Sequence, residues 1–149
     1  MESDVTGQGF SFSSWILIPG QADGMALTLD DTLSFWGGFD PADGEIIDVH
    51  HPQFGERVGG RILCVPRSRG SAGTPGGIAE TLRNGSGPAA FVLGERDVNI
   101  GVGTLVANRL YNLEVPVVAV APLELAQIRS GDRITIDRQG RISVSREAV

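Results

Sequence analysis

Three apolar runs in the second half of the chain constrain its fold most: "GRILCVP" (Gly60 to Pro66), "AAFVLG" and "VPVVAVAP". Each is continuous rather than alternating, the pattern of a short strand covered on both faces. Between the first two lies "PGGIAETLRNG" (Pro75 to Gly85). A threonine precedes its proline and a glycine closes it, the start and stop marks of a helix. Between the second and third lies "VNIGVGTLVANRLYN" (Val98 to Asn112), apolar at helical intervals. Strand, helix, strand, helix, strand with buried strands predicts parallel pairing. Downstream, "LELAQIRSGD" predicts a short helix ending at Gly131, and "DRITIDRQGRISVS" a β-hairpin around Arg138, Gln139 and Gly140.

The first half is different in kind. "WILIPG" (Trp15 to Gly20) and "MALTLD" (Met25 to Asp30) read as short strands. The stretch from Leu33 to Gly60 is crowded with Gly-Gly, Asp-Pro, Asp-Gly and His-Pro turn pairs, with a short strand at Glu45 to Asp48. Residues 1–14 read as a flexible lead-in and 15–149 as one domain. The expected fold class is α/β: a β/β/α domain with a central mixed or parallel sheet, flanking helices and a second small β-layer.

Composition narrows the function classes. The chain has 149 residues and a net charge of −6. Nucleic-acid binding wants a basic face, so that partner is not expected. No stretch is apolar for long enough to span a membrane, and no signal peptide is read at the start, so a cytoplasmic protein is expected. The single cysteine, Cys64, lies inside an apolar run. Alone it can hold neither an iron–sulfur cluster nor a structural zinc, and it reads as a buried thiol. No metal site is therefore assigned to this chain.

The loop "RSRGSAGTPGG" (Arg67 to Gly77) carries the main candidate chemistry. It joins a buried strand to a helix, where open α/β sheets place ligands. Its amides and the helix N-terminus suit an anion, and Arg67 and Arg69 could grip a carboxylate or phosphate bidentately. It lacks the Gly-Lys-Ser/Thr ending of a P-loop. On pattern alone it reads either as an anion loop or as a mobile surface loop. Ser71 reads either as an activated hydroxyl or as a turn serine. His50 and His51 are adjacent, so in extended chain they point apart. Gly37 and Gly38 in "SFWGGFDP" allow close approach by a ligand or another chain, while Phe35 and Trp36 read as core or interface. Asp30, Asp31, Glu80, Glu95, Asp97 and Asp132 are scattered and read as caps and solvated faces.

Taken in order, "SFWGGFDP", "GEIIDVHHPQFGE", "GGRILCVP", "RGS", "NG..PAAFVLGE" and "VPVV" resemble the small, swivel-domain subunit of the aconitase X family, over about Pro19 to Pro122. The resemblance implies a swivelling β/β/α fold and a hydro-lyase that dehydrates a small hydroxy acid, of cis-3-hydroxy-L-proline or mevalonate 5-phosphate type. It implies a large partner subunit that carries an iron–sulfur cluster or iron, with no cofactor on this chain. It makes Ser71 the catalytic base, with Arg69, Gly70, Ser34, Gly37, Gly38 and His51 as candidate substrate contacts. The family loop often reads Gly-Arg-Gly-Ser-Ser or Gly-Lys-Gly-Ser, whereas here Ala72 follows Ser71. Two other readings remain: a phosphohistidine swivel domain using His50 or His51, and a non-catalytic metabolite-binding module.

Overall fold

The computed structural model describes residues 7–70 and 72–147. In chain order the elements are β1 (Gly7–Ser13), β2 (Trp15–Ile18), β3 (Ala22–Thr28), β4 (Phe39–Asp40), β5 (Glu45–Ile46) and β6 (Ile62–Val65). Then follow α1 (Thr74–Arg83), β7 (Ala90–Leu93), α2 (Val98–Tyr111), β8 (Val117–Ala119), α3 (Pro122–Leu125), β9 (Arg133–Ile136) and β10 (Arg141–Glu147). The main sheet runs β1-β10-β9-β3-β6-β7-β8-β2, and β4 and β5 form a separate hairpin.

The three apolar runs are the parallel strands β6, β7 and β8, as their continuity requires. Side chains alternate across a strand, so each run serves two cores. Leu63, Val65, Phe91, Leu93, Val117 and Ala119 face α1 and α2, where Ile78, Leu82, Ile100 and Ala107 meet them. Ile62, Cys64, Ala90, Val92 and Val118 face the other way, onto Ile134, Ile136, Ile142 and Val144 of the β9–β10 hairpin. Helices, parallel strands and antiparallel strands thus make the three expected layers.

β3 belongs to both sheet layers. Ala22 to Met25 pair antiparallel with β9, and Ala26 to Thr28 pair parallel with β6. Gly24 sits in the first half, where a Cβ would come 3.0 Å from the Gly60 carbonyl oxygen.

Three local expectations change. Within the stretch read as a flexible lead-in, Gly7–Ser13 is β1, paired along its whole length with β10. The signal was the alternation of Phe10 and Phe12, which stack at 6.1 Å and pack on the inter-sheet core. Residues 1–6 lie outside the described residues. The helix expected to end at Gly131 stops at Leu125. From there the chain tightens into turns, with Ile128 N–H donating to the Leu125 carbonyl at 3.1 Å, and Ile128 inserts into the inter-sheet core. The strand expected at Glu45 to Asp48 is only two residues, because Ile47 N–H turns to the Gly38 carbonyl at 3.1 Å.

Asp132 is not on a solvated face. It is buried and takes two hydrogen bonds from Arg146, at 2.7 and 2.8 Å, and one from the Arg129 N–H at 2.8 Å. Burial pushes its carboxyl up, but these donors outweigh burial and hold it below the ordinary value.

Candidate functional site

The loops after β3, β6 and β7 gather at the carboxyl ends of the parallel strands, the end where open α/β sheets bind ligands. Backbone pairing carries them there side by side. Leu29 N–H donates to the Cys64 carbonyl at 2.8 Å, and Arg69 N–H to the Leu33 carbonyl at 2.8 Å. Leu33 and Ser68 form a parallel bridge beyond the strands proper.

Ser68 is the inner anchor of the loop. It is buried, and both its N–H (2.7 Å) and its hydroxyl (2.6 Å) donate to Oδ2 of Asp97. The other oxygen, Oδ1, accepts from Asn99 N–H (3.0 Å) and Ile100 N–H (3.2 Å) and so caps α2. One carboxylate therefore ties the loop to the first turn of a helix. Sequence reasoning had Asp97 as a cap, but its second task is invisible locally because Ser68 is 29 positions away.

Arg69 reaches across to the β3 loop. Its guanidinium lies 3.5 Å from Asp31 and 3.6 Å from Asp48, with Nε 3.3 Å from the Thr32 hydroxyl. These contacts are long and exposed, so they hold the side chain weakly and leave it able to turn to another anion. Arg67 goes elsewhere, to the Ser68 carbonyl at 3.1 Å and Glu95 at 3.7 Å. It borders a cleft of about 590 Å³ between the two sheet layers, lined also by Thr28, Asp30, Cys64, Glu95 and Ile128.

The "SFWGG" turn packs against the same loop. The Trp36 indole covers Gly73, where a Cβ would fall 2.6 Å from the ring, and the Phe35 carbonyl occupies the space a Cβ on Gly77 would need. Ser34 spends its hydroxyl locally, donating to the Trp36 carbonyl at 2.7 Å. Gly37 has φ +99°, and Gly38 is buried with the Ser34 carbonyl 2.9 Å from where its Cβ would be. Both glycines shape this turn, and Gly37 keeps open space beside it. Gly70 also has nothing within 4 Å of a built Cβ. Ser71 lies outside the described residues.

His50 and His51 part company, but in a turn rather than the extended chain expected, with His51 N–H donating to the Asp48 carbonyl at 3.0 Å. His50 is exposed and His51 buried. Nδ1 of His51 accepts from Gln53 N–H at 3.0 Å, while Nε2 is buried without a hydrogen-bond partner among the described residues. Gln53 ties this turn to Asp30 through two hydrogen bonds, of 2.8 and 3.0 Å. The Thr74 hydroxyl, in the first turn of α1, is likewise buried and unpartnered among the described residues. Sequence reasoning took this threonine as the helix start mark, but the N-cap of α1 is Gly73, which has no side chain to cap with.

Among the described residues no three His, Cys, Asp or Glu side chains gather to hold a metal ion. Burial, with a smaller push from Asp132, raises the Cys64 thiol to about 12, so it is a poor thiolate donor. The described residues do not fit an iron centre. No helix among the described residues is long and apolar enough to cross a membrane.

A family model described as the aconitase X swivel domain matches residues 11–144. The chain belongs to that family. Its fold is shared with the aconitase X structure (holo-form) of Thermococcus kodakaraensis, at TM-score 0.81 and 24% identity, over 91% of this chain and 98% of that one. The phosphomevalonate dehydratase small subunit of Thermococcus sibiricus is 34% identical, over 84% of this chain and 91% of its own length. The cis-3-hydroxy-L-proline dehydratase of Pseudomonas aeruginosa is 40% identical over 68% of this chain. The corresponding enzyme of Hypocrea jecorina is 32% identical over 80% of it. This swivel domain spans only about one-fifth of those two dehydratases, at 17% and 20% of their length.

Proposed function

We propose that this chain is the swivel subunit of an aconitase-like hydro-lyase in the cytoplasm. Its substrate is a small hydroxy acid of the cis-3-hydroxy-L-proline or mevalonate 5-phosphate type. A larger polypeptide completes the site and carries the iron–sulfur or iron centre, for which the described residues of this chain gather no ligand cluster. The observation that carries the reading is the anchored loop. A family-matched swivel domain holds Ser68, Arg69 and Gly70 at its strand ends, anchored by Asp97 and open beside Gly70, directly before Ser71 in the sequence.

Dehydration removes a proton from one carbon and a hydroxyl from its neighbour, leaving a double bond and water. In this reading Ser71 takes the proton, with loop amides stabilising its oxygen. Arg69 exchanges its weak contacts to Asp31 and Asp48 for the substrate's carboxylate or phosphate. Gly70 and Gly37 let backbone come close to the bound acid, while Gly38, buried against the Ser34 carbonyl, and Ser34 hold the second turn in shape rather than touch it. His51, whose buried Nε2 has no hydrogen-bond partner among the described residues, is the remaining candidate contact.

The test is Ser71→Ala in the chain assembled with the larger polypeptide, assayed on a panel of hydroxy acids. The expected result is an intact complex with dehydration lost. Undiminished turnover by that variant, or turnover by the purified single chain, would overturn the reading.

A further inference from the structure

α2 is apolar on the wrong side as well as the right one. Ile100, Gly101, Gly103, Thr104 and Ala107 are buried against the sheet and α1. On the outward side Val98, Val102, Leu105 and Leu110 stay 70%, 44%, 42% and 67% exposed. A helix that is apolar all round is normally buried all round. The stripe continues onto β2, an edge strand whose exposed Trp15 pairs with Ala119 of the helix-facing layer. A shallow groove of about 230 Å³ runs between Leu17 and Ile18 on one side and Val98, Val102 and Leu105 on the other.

We propose that this α2–β2 face is where the larger, metal-bearing polypeptide docks; the inference rests on the reading of the chain as its swivel subunit. Three observations choose that occupant. Val98 directly follows Asp97, which anchors Ser68, so a body that reaches the Arg67 to Gly73 loop from outside also meets the first turn of α2. The swivel part makes up only 17% and 20% of the two hydroxyproline dehydratases, where it shares one polypeptide with the other four-fifths. A second copy is the poorer occupant, because each chain carries a net charge of −6, and charge far from zero favours the monomer.

The test uses this chain and the larger polypeptide purified together, with the dissociation constant read from dilution in light-scattering chromatography. Val102→Glu with Leu105→Glu is expected to weaken assembly roughly tenfold or more, as loss of central apolar anchors does. A milder pair, Val102→Ser with Leu105→Ser, covers the case in which the charged pair fails to fold, and circular dichroism checks both. Unchanged assembly in either folded variant overturns the proposal. So does a wild-type chain that is dimeric alone and becomes monomeric with the glutamates, and so does failure of the larger polypeptide to bind. Assembly that depends on these residues but yields no dehydration of any hydroxy acid would remove the functional reading and leave the docking face standing.

Discussion

Replacing Asp97 with alanine removes two supports at once. The α2 cap is lost, which typically costs about 1 kcal/mol and up to about 2. Ser68 also loses the acceptor for its N–H and hydroxyl, at 2.7 and 2.6 Å, inside a buried site. Each stranded donor costs on the order of 1–3 kcal/mol, the lower end applying if the loop relaxes to reach water. With the loop relaxed, so that each donor costs about 1 kcal/mol, the sum is about 3–4 kcal/mol, or a fall in Tm of roughly 10 °C for a domain this size. Ser68→Ala leaves the cap and the N–H bond in place and should cost only about 1–2 kcal/mol. Urea unfolding of both single variants and the double variant closes a cycle, whose coupling should exceed about 1 kcal/mol if the two residues act as one unit. In the assembled enzyme, Asp97→Ala should lower kcat more than it raises KM, because the loop loses its orientation rather than its binding groups. A penalty below about 1 kcal/mol for Asp97→Ala, or additive single variants, would refute the reasoning.

Adjacent glycines in α1 should respond with opposite signs. Gly77→Ala forces a methyl onto the Phe35 carbonyl and should lose about 1–3 kcal/mol, while Gly76→Ala, in open space on the helix, should gain about 0.5–1 kcal/mol, both read by thermal unfolding. The Asp132–Arg146 pair sets a pH dependence. Because the native Asp132 carboxyl is held below its unfolded value, its contribution is fully present above about pH 4 and is lost as pH falls through the native value. Arg146→Ala leaves burial unopposed by its strongest partner, so its stability deficit against wild type should be largest at neutral pH and narrow below about pH 4; a pH-independent deficit would contradict this.

The parallel half of the fold was legible because Ile62 to Val65, Ala90 to Leu93 and Val117 to Ala119 are buried on both faces, and double burial writes itself as unbroken apolarity. β1 was missed because its signal is only two phenylalanines among Gly and Ser, and its partner, β10, is at the other end of the chain. The pairing of Asp132 with Arg146 was hidden although the two are only 14 positions apart, since the charge pattern of either segment alone looks solvated. At the site, "RSRGSAG" announced itself by composition. What positions it did not, because Asp97, Trp36 and the Phe35 carbonyl become its neighbours only through the packing of strand-end loops. Nor did helical spacing in Val98 to Asn112 reveal that α2 is apolar on its outer face too.

β3 deserves a mechanical reading. Its first half is hydrogen-bonded into the antiparallel layer and its second half into the parallel layer, with no break in the strand between them. Sliding one layer over the other would have to shear that single strand along its own backbone bonds. A domain built this way resists internal deformation and behaves as a stiff lever, so displacement applied at α2 is delivered to the loop end of the sheet rather than absorbed in the sandwich.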